Sequence, residues 1–159
     1  MSNKPLSVAI SAVIKDNNIL LIKRNRGDYP NFWALPGGKI EQNEHVSDAA
    51  VREILEESGL QTQFRNHLGF VSEHLVENNE IQKHFLLHIC ELEPQTMAFQ
   101  QQEEGELRWF NLDNIKHHKD KIIPSDSLMI EKIIKNRESN YFNCVIEKVN
   151  DKHILRKFD

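Results

Sequence analysis

One stretch, Gly37–Leu60, carries the strongest structural signal in the chain; it reads GGKIEQNEHVSDAAVREILEESGL. Gly37 and Gly38 predict a tight turn, and residues 45–58 have the apolar spacing of an amphipathic helix. Three glutamates of this helix, Glu53, Glu56 and Glu57, stand at positions i, i+3 and i+4. Residues with that spacing share one face of a helix, so the sequence predicts an acidic helix face just after a glycine turn.

This acidic face works against the helix that carries it. Like charges four residues apart destabilise a helix by about 0.2–0.5 kcal/mol. Glu56 and Glu57 also precede Gly59, a predicted helix end, where the helix dipole disfavours each anion by about 0.3–1 kcal/mol. A bound cation would remove this repulsion. The pattern therefore favours a metal site, although a solvated acidic surface is also compatible with these residues alone.

Length and composition indicate one globular domain. The chain has 159 residues, of which 39% are apolar and 28% charged, with a net charge of −4. We expect a domain at 1–138 and a C-terminal β-hairpin at 139–159 that extends the same domain. The acidic balance gives no reason to expect binding to polymeric nucleic acid. Since no run approaches about 20 apolar residues, no membrane contact is expected.

The two cysteines, Cys90 and Cys144, lie far apart and form no CxxC motif. A reduced, cytoplasmic protein is the simpler interpretation, and a disulfide between them is the alternative. Residues 1–5 lack the apolar block of a signal peptide. The oligomeric state is left open by the sequence, a homodimer included.

Strand-like segments surround the central helix, and several are joined by short polar turns. A second helix is predicted from Pro124, with a helical turn at 112–115. The predicted strands are 6–14, 19–22, 64–76, 81–92, 106–110, 141–149 and 154–158. Strands interrupted by two helical regions indicate an α/β protein, an α/β/α sandwich around a mixed sheet with a C-terminal β-hairpin.

The spacing of the central stretch resembles the signature of the Nudix hydrolases. That signature has a glycine and a glutamate separated by five residues, here Gly38 and Glu44. Seven further residues lead to Arg52-Glu53, and the remaining defined positions are Ile54, Glu56, Glu57, Gly59 and Leu60. Every defined position is filled over 23 residues, 38–60. The resemblance extends to the flanks, at 33–37 and 106–110.

The resemblance implies metal-dependent hydrolysis of a diphosphate linkage, with Mg²⁺ or Mn²⁺ as cofactor. The metal ligands it implies are Glu53, Glu56, Glu57 and the main-chain carbonyl near Gly37. Hard carboxylate oxygens are the ligands that Mg²⁺ prefers. Glu53 could alternatively help to activate water. Arg52 would orient the carboxylates, or it could form an ordinary ion pair with Glu56.

The remaining candidate residues lie outside this helix. The resemblance implies a further catalytic carboxylate from a loop, for which Glu103 and Glu104 are the candidates; a plain acidic loop is equally compatible. Candidate substrate contacts are Gly38, Arg24, Phe32 and Trp33, and the two aromatic residues are also compatible with core packing. Glu44 has either a supporting role at the site or a favourable position in the first helical turn.

The choice of substrate is limited only by the absence of sequence features that distinguish other branches of the family. The proline, tyrosine and arginine-rich marks that distinguish other branches of the family are absent or partial here, which leaves a nucleoside triphosphate, an oxidised one included, as the leading hypothesis. ADP-ribose or a nucleotide sugar is the alternative. A nucleotide-sensing module without catalysis is the alternative from another class, although its expected mark, a degraded glutamate set, is missing.

Overall fold

The computed structural model describes residues 4–25, 29–101 and 105–159. The described strands are β1 (Leu6–Lys15), β2 (Asn18–Arg24), β3 (Trp33–Ala34), β4 (Gly37–Lys39), β5 (Thr62–Glu77), β6 (Glu80–Pro94), β7 (Gly105–Asn111), β8 (Tyr141–Val149) and β9 (Lys152–Phe158). The helical elements are α1 (Val46–Ser58), a 3₁₀ segment (Ile115–Lys121), α2 (Pro124–Leu128) and a π-helical segment (Met129–Lys135). The predicted strands and the two predicted helices are present at nearly the expected limits, whereas the helical turn predicted at 112–115 is replaced by the 3₁₀ segment Ile115–Lys121.

The strands form one mixed, nine-stranded sheet in the order β3-β2-β1-β6-β5-β8-β9, with β4 on β1 and β7 on β2. The pairs β1–β6 and β5–β8 are parallel, and the others are antiparallel. β1 and β2 pair only beside their turn, at Ile14–Ile19 and Lys15–Asn18. Beyond that point β1 pairs with β4 instead, so the sheet opens between β1 and β2.

Three tight turns fix the register of the hairpins. The central residues of these turns all have positive φ, as two-residue hairpin loops require. They are Asp16 and Asn17 (51° and 62°), Asn78 and Asn79 (54° and 62°), and Asn150 and Asp151 (50° and 64°). The C-terminal hairpin, β8–β9, joins the main sheet through parallel pairing of β8 with β5.

Helix α1 packs one apolar stripe against the sheet. Ala49, Ala50 and Ile54 are fully buried, and α1 lies on β1, β4, β5 and β6. Burying a side chain such as Ile54 contributes about 1.5–3 kcal/mol. The helix ends at Gly59, whose φ of 73° and N–H bond to the Leu55 carbonyl match the predicted stop.

The opposite face of the sheet is covered by the second helical region. Met129, Ile130, Ile133 and Ile134 of the π-helical segment are buried there. Helical layers on both faces confirm the predicted sandwich around a mixed sheet. Cys90 and Cys144 are both buried free thiols. No helix of the described ranges has both the length and the apolar character needed to span a bilayer.

The glycine pair before α1 departs from the prediction. Gly37 and Gly38 do not form a turn; they lie in strand β4, paired with Ile10 and Ala9 of β1. Neither has a positive φ, which among the described glycines only Gly59 has. A Cβ on Gly37 would lie 2.5 Å from the Ala9 carbonyl oxygen. Glycine is needed here because two backbones approach closely, not because the chain turns.

Candidate active site

Arg52 organises the acidic side chains around the start of α1. Its guanidinium donates to both carboxylate oxygens of Glu44, at 2.6 and 2.9 Å. It also donates to Glu53 at 2.9 Å, to Glu56 at 3.3 Å and to the Lys39 carbonyl at 3.1 Å. One planar fork therefore holds carboxylates and a main-chain oxygen in fixed relative positions. The predicted contact with Glu56 is present, but it is longer than those with Glu44 and Glu53.

The electrostatics of this group follow from the hydrogen bonds. The Arg52 side chain, followed by the Glu41 N–H at 2.9 Å, lowers the pKa of Glu44 to about 2. The hydrogen bond to Glu44 raises the pKa of Arg52 above its usual range. Both groups stay charged at neutral pH. Glu44 lies before the first residue of α1. The main contact of its side chain is with Arg52, which it holds in place.

Glu53 occupies the space that a side chain at position 38 would need. A Cβ on Gly38 would overlap the Glu53 carboxylate, and only 16% of the Glu53 side chain is exposed. Because Gly38 has no side chain, the Glu53 carboxylate of α1 can lie against the backbone of β4. This contact explains why the spacing between the glycine and the helix glutamates matters.

The three helix glutamates lie in different environments. The Glu56 side chain is 58% exposed, whereas Glu57 is 6% exposed and lines a cavity. As the side chains stand, no three acidic, histidine or cysteine groups within the described ranges converge on one metal position. The donor set nevertheless fits Mg²⁺ or Mn²⁺, because it offers hard oxygens on one helix face beside the Gly38 cradle.

The cavity has a volume of about 610 Å³, within the range of small-molecule sites. It reaches from the β4 backbone at Gly37 and Gly38 to the sheet and to α2. Three exposed cations border it: Arg24, Lys39 and Lys83. A cavity with an acidic helix on one side and cations around it suits an anionic ligand that also binds a metal.

Two predicted substrate contacts, Gly38 and Arg24, line this cavity. The other two do not appear among its described lining residues. Trp33 is 4% exposed and packs edge-on against Phe110 at 5.1 Å, with Arg108 over its ring. Phe32 is partly buried and packs against Tyr29. Both aromatic residues thus make packing contacts, and their contact with substrate stays a prediction. Glu103 and Glu104 lie outside the described residues.

Two further carboxyl groups in the cavity were not singled out by the sequence analysis. Glu73 comes from β5 and Asp126 from α2, and both line the cavity. The signal that could have found Glu73 is its strand position, since Val71, Glu73 and Leu75 share one face and Val71 is fully buried. Asp126 appeared only as part of a helix start.

The C-terminal hairpin also contributes to the cavity wall, through Ile146 of β8 and His153 of β9. The Tyr29 hydroxyl donates to the His153 carbonyl oxygen at 2.8 Å, and the two rings lie 5.0 Å apart. The hairpin thus borders the candidate site as well as extending the sheet.

Comparison with known proteins places this site in a family. The family model of the NUDIX domain matches residues 5–132. The chain is 48% identical over 67 residues to an ADP-ribose pyrophosphatase of Methanocaldococcus jannaschii, an alignment that covers 42% of this chain and 40% of that protein. It is 32% identical over 103 residues to the oxidized purine nucleoside triphosphate hydrolase of Mus musculus, covering 65% and 64%.

Among solved structures, the mutator MutT protein from Bacillus halodurans matches with a TM-score of 0.75 at 20% identity. The match covers 97% of this chain and 96% of that one, and it shows a shared fold. The chain spans 32% to 52% of the length of other curated relatives. The family model matches most of the chain, Arg52 binds Glu44, Glu53 and Glu56, and Glu53 lies against Gly38 of β4. The chain therefore belongs to the Nudix family.

Proposed function

We propose that the protein catalyses the metal-dependent hydrolysis of a diphosphate linkage in a nucleoside diphosphate derivative. One observation carries the proposal: the acidic face of α1, organised by Arg52, adjoins a cation-bordered cavity through Glu57. A diphosphate is a polyanion that resists attack by water, so it needs both charge neutralisation and positioning. The acidic face of α1 and the cations around the cavity are suited to neutralise the charge of a diphosphate and to position it.

The proposed role of each residue follows from its position in the site. Glu53, Glu56 and Glu57, with the main-chain carbonyl near Gly37, would hold Mg²⁺ or Mn²⁺. When bound, such an ion neutralises phosphate oxygens and lowers the pKa of bound water. Arg52 holds Glu53 in place, and Arg24 and Lys39 attract the phosphates. Glu53, Glu103 and Glu104 remain the candidates for the general base.

The proposed substrate is a nucleoside triphosphate, an oxidised one included, which would be cleaved to a nucleoside monophosphate and pyrophosphate. The likeness to the murine oxidized purine nucleoside triphosphate hydrolase supports this choice. A second candidate, ADP-ribose or a nucleotide sugar, is favoured by the 48% local identity to an ADP-ribose pyrophosphatase. Both substrates contain the diphosphate that the site is suited to bind.

A substrate panel with and without metal tests the proposal. Purified protein is incubated with the common and 8-oxidised nucleoside triphosphates, ADP-ribose and UDP-glucose, each with Mg²⁺, Mn²⁺ or EDTA. We expect metal-dependent release of a nucleoside monophosphate, identified by chromatography. No turnover of any compound with either metal would contradict the proposal. Tight nucleotide binding in the same samples without turnover would instead support a nucleotide-sensing module.

We also propose a cytoplasmic protein whose domain comprises residues 1–138 with the hairpin 139–159 as its extension, and which can form a homodimer. The β8–β5 pairing supports treating the hairpin as part of the same domain. Light scattering measures the mass in solution, and a mass of one chain at micromolar concentration would exclude a stable dimer.

A further inference from the structure

Histidines form two pairs across strands β5 and β6, on the face of the sheet opposite the cavity. His74 lies opposite His84, with ring centroids 4.5 Å apart, and His67 contacts His88, with ring centroids 5.2 Å apart. The cavity takes alternate positions of these strands, such as Glu73, and none of these histidines is among its described lining residues. Both pairs therefore lie outside the candidate active site.

In the pair formed by His67 and His88, two ring nitrogens meet. His67 Nε2 and His88 Nδ1 lie 3.0 Å apart, in hydrogen-bond contact. Two imidazole nitrogens bound to one tetrahedral Zn²⁺, each about 2.0–2.1 Å from the ion, are about 3.3–3.4 Å apart. A separation of about 0.3–0.4 Å, with a turn of the His67 ring, therefore converts this contact into two ligands of one ion.

The surroundings hold His88 in place and leave His67 able to adjust. Phe70, directly opposite His88 on β5, packs edge-on against its ring at 4.9 Å and stacks on Tyr141 at 6.0 Å. His88 is half-buried, whereas His67 is exposed. The register of β5 shifts between His67 and Gly69, and an irregularity of this kind changes the direction of a side chain. A ligand that is already held by packing loses less freedom when an ion binds.

The pair formed by His74 and His84 has a different geometry. His84 Nε2 lies 2.9 Å from the Ser72 hydroxyl oxygen, and the two rings meet edge-on at 79°. One ring nitrogen of His84 is therefore already used by a neighbouring side chain. His84 and His88 are four residues apart on β6, about 13 Å along a strand, so one ion cannot bind both pairs. The second pair is thus a matched control for the first.

We propose that His67 Nε2 and His88 Nδ1 bind a divalent transition-metal ion such as Zn²⁺, Ni²⁺ or Cu²⁺, with water in the remaining positions. Imidazole nitrogen is a ligand that these ions prefer, whereas Mg²⁺ prefers hard oxygens such as those of the α1 carboxylates. The protein then has separate sites for two classes of metal ion. This inference does not depend on the proposed function, because the two histidines lie outside the candidate active site.

Calorimetry on protein freed of metal by EDTA and desalting tests this site. Zn²⁺ is titrated in millimolar Mg²⁺, which competes for the carboxylates of α1. His67→Asn and His88→Asn should each weaken Zn²⁺ binding by at least about tenfold, since loss of a group that only supports a ligand already costs about 10–100-fold. His74→Asn, on the same strand as His67, is the matched control and should bind Zn²⁺ as the wild type does.

The ¹⁵N signals of the imidazole rings separate metal binding from a structural role. Zn²⁺ should shift the signals of His67 Nε2 and His88 Nδ1 and place the proton of each ring on its other nitrogen. Mg²⁺ should leave these signals unchanged. Because His67 is exposed, His67→Asn should keep the wild-type unfolding midpoint, and a loss of Zn²⁺ binding in this variant then does not come from misfolding.

The outcomes keep this inference apart from the proposed function. An unchanged Zn²⁺ affinity in His67→Asn, or Zn²⁺ binding that Glu57→Gln weakens instead, would overturn the inference. A titration without any Zn²⁺ binding in millimolar Mg²⁺ would overturn it as well. Loss of Zn²⁺ binding in both His67→Asn and His88→Asn, with His74→Asn unaffected, would support it whether or not the hydrolysis panel shows activity.

Discussion

The protein has two groups of carboxyl side chains whose environments shift their pKa values in opposite directions. Around Arg52, Glu44 receives two guanidinium hydrogen bonds and one from a backbone N–H, and its pKa falls to about 2. In the cavity, burial and the neighbouring Asp126 raise the pKa of Glu73 to about 7. The pKa values of two glutamates in one domain are thus shifted in opposite directions, because donors surround Glu44 whereas Glu73 is buried beside another carboxyl group.

This difference separates two kinds of chemistry. Carboxylates that stay ionised are suited to hold cations and to keep an arginine in place. Carboxyl groups that titrate near neutrality are suited to exchange donor and acceptor roles with an uncharged ligand. The same residue type therefore stays ionised beside Arg52 and titrates near neutral pH in the cavity.

The largest effect is expected from Glu57→Gln, which removes a charge from the acidic side where α1 meets the cavity. We expect the rate of hydrolysis to fall by about 10²-fold or more, because a proposed metal ligand is lost. Steady-state kinetics with saturating Mg²⁺ measures the change. Glu106→Gln, an exposed glutamate of β7, is the control and should keep the wild-type rate. A Glu57→Gln variant with full activity would show that this carboxylate has no catalytic role.

A smaller loss is expected from Arg52→Lys. Lysine keeps the positive charge but cannot bind Glu44 through two nitrogens while also reaching Glu53 and the Lys39 carbonyl. We expect a decrease in kcat of about 10–100-fold, typical of residues that orient metal ligands. The unfolding midpoint of the variant, followed by circular dichroism, should stay close to that of the wild type. If lysine restores full activity, charge alone is what the site requires.

Glu73 and Glu44 should also have opposite effects on how the stability of the protein changes with pH. The pKa of Glu73 is raised from 4.5 to about 7, so the unfolded chain loses its proton first and folding is penalised progressively from about pH 4.5 to 7. The melting temperature of Glu73→Gln minus that of the wild type should therefore increase over this range, by a few degrees, and stay constant above about pH 8.

Glu44 should behave in the reverse way. Its pKa is lowered from 4.5 to about 2, so its stabilisation is present above about pH 4.5 and is lost as the pH falls toward 2. The melting temperature of the wild type minus that of Glu44→Gln should accordingly shrink between pH 5 and pH 3. Calorimetric scans at half-unit intervals measure both differences; when each is taken as variant minus wild type, slopes of the same sign would refute the contrast.

The smallest effect concerns metal and stability. With Mg²⁺ at ten times its dissociation constant, the melting temperature should rise by about 3–6 °C, because the ion binds the folded state. Glu53→Gln should reduce this shift, whereas Glu73→Gln should leave it intact. A melting temperature indifferent to millimolar Mg²⁺ and Mn²⁺ would argue against binding to α1 before substrate arrives.

The sequence predicted the parts of this molecule that depend on local spacing. Helix α1, its end at Gly59 and the three asparagine-containing turns follow from residues a few positions apart. The acidic helix face follows from the same short-range rule, and the family resemblance added its expected chemistry. These features were predictable because each is determined within about two turns of helix or one hairpin.

The parts that were missed depend on contacts between distant segments. Glu73 of β5 and Asp126 of α2 line one cavity although they are far apart in the chain, and no local pattern joins these two positions. The sequence left Trp33 open between substrate contact and core because an aromatic residue near a signature looks the same in either place, and the structure shows it buried. The glycine pair was misread because a close approach of two strands leaves no mark in the sequence around it.

The bond between the Tyr29 hydroxyl and the His153 carbonyl has a consequence for biosynthesis. The family model ends at residue 132, yet Ile146 and His153 complete the wall of the cavity. A ribosome that has translated the whole signature has therefore made a chain whose pocket still lacks one side. The wall of the cavity is complete only when the last hairpin has emerged and the His153 carbonyl can accept the Tyr29 hydrogen bond.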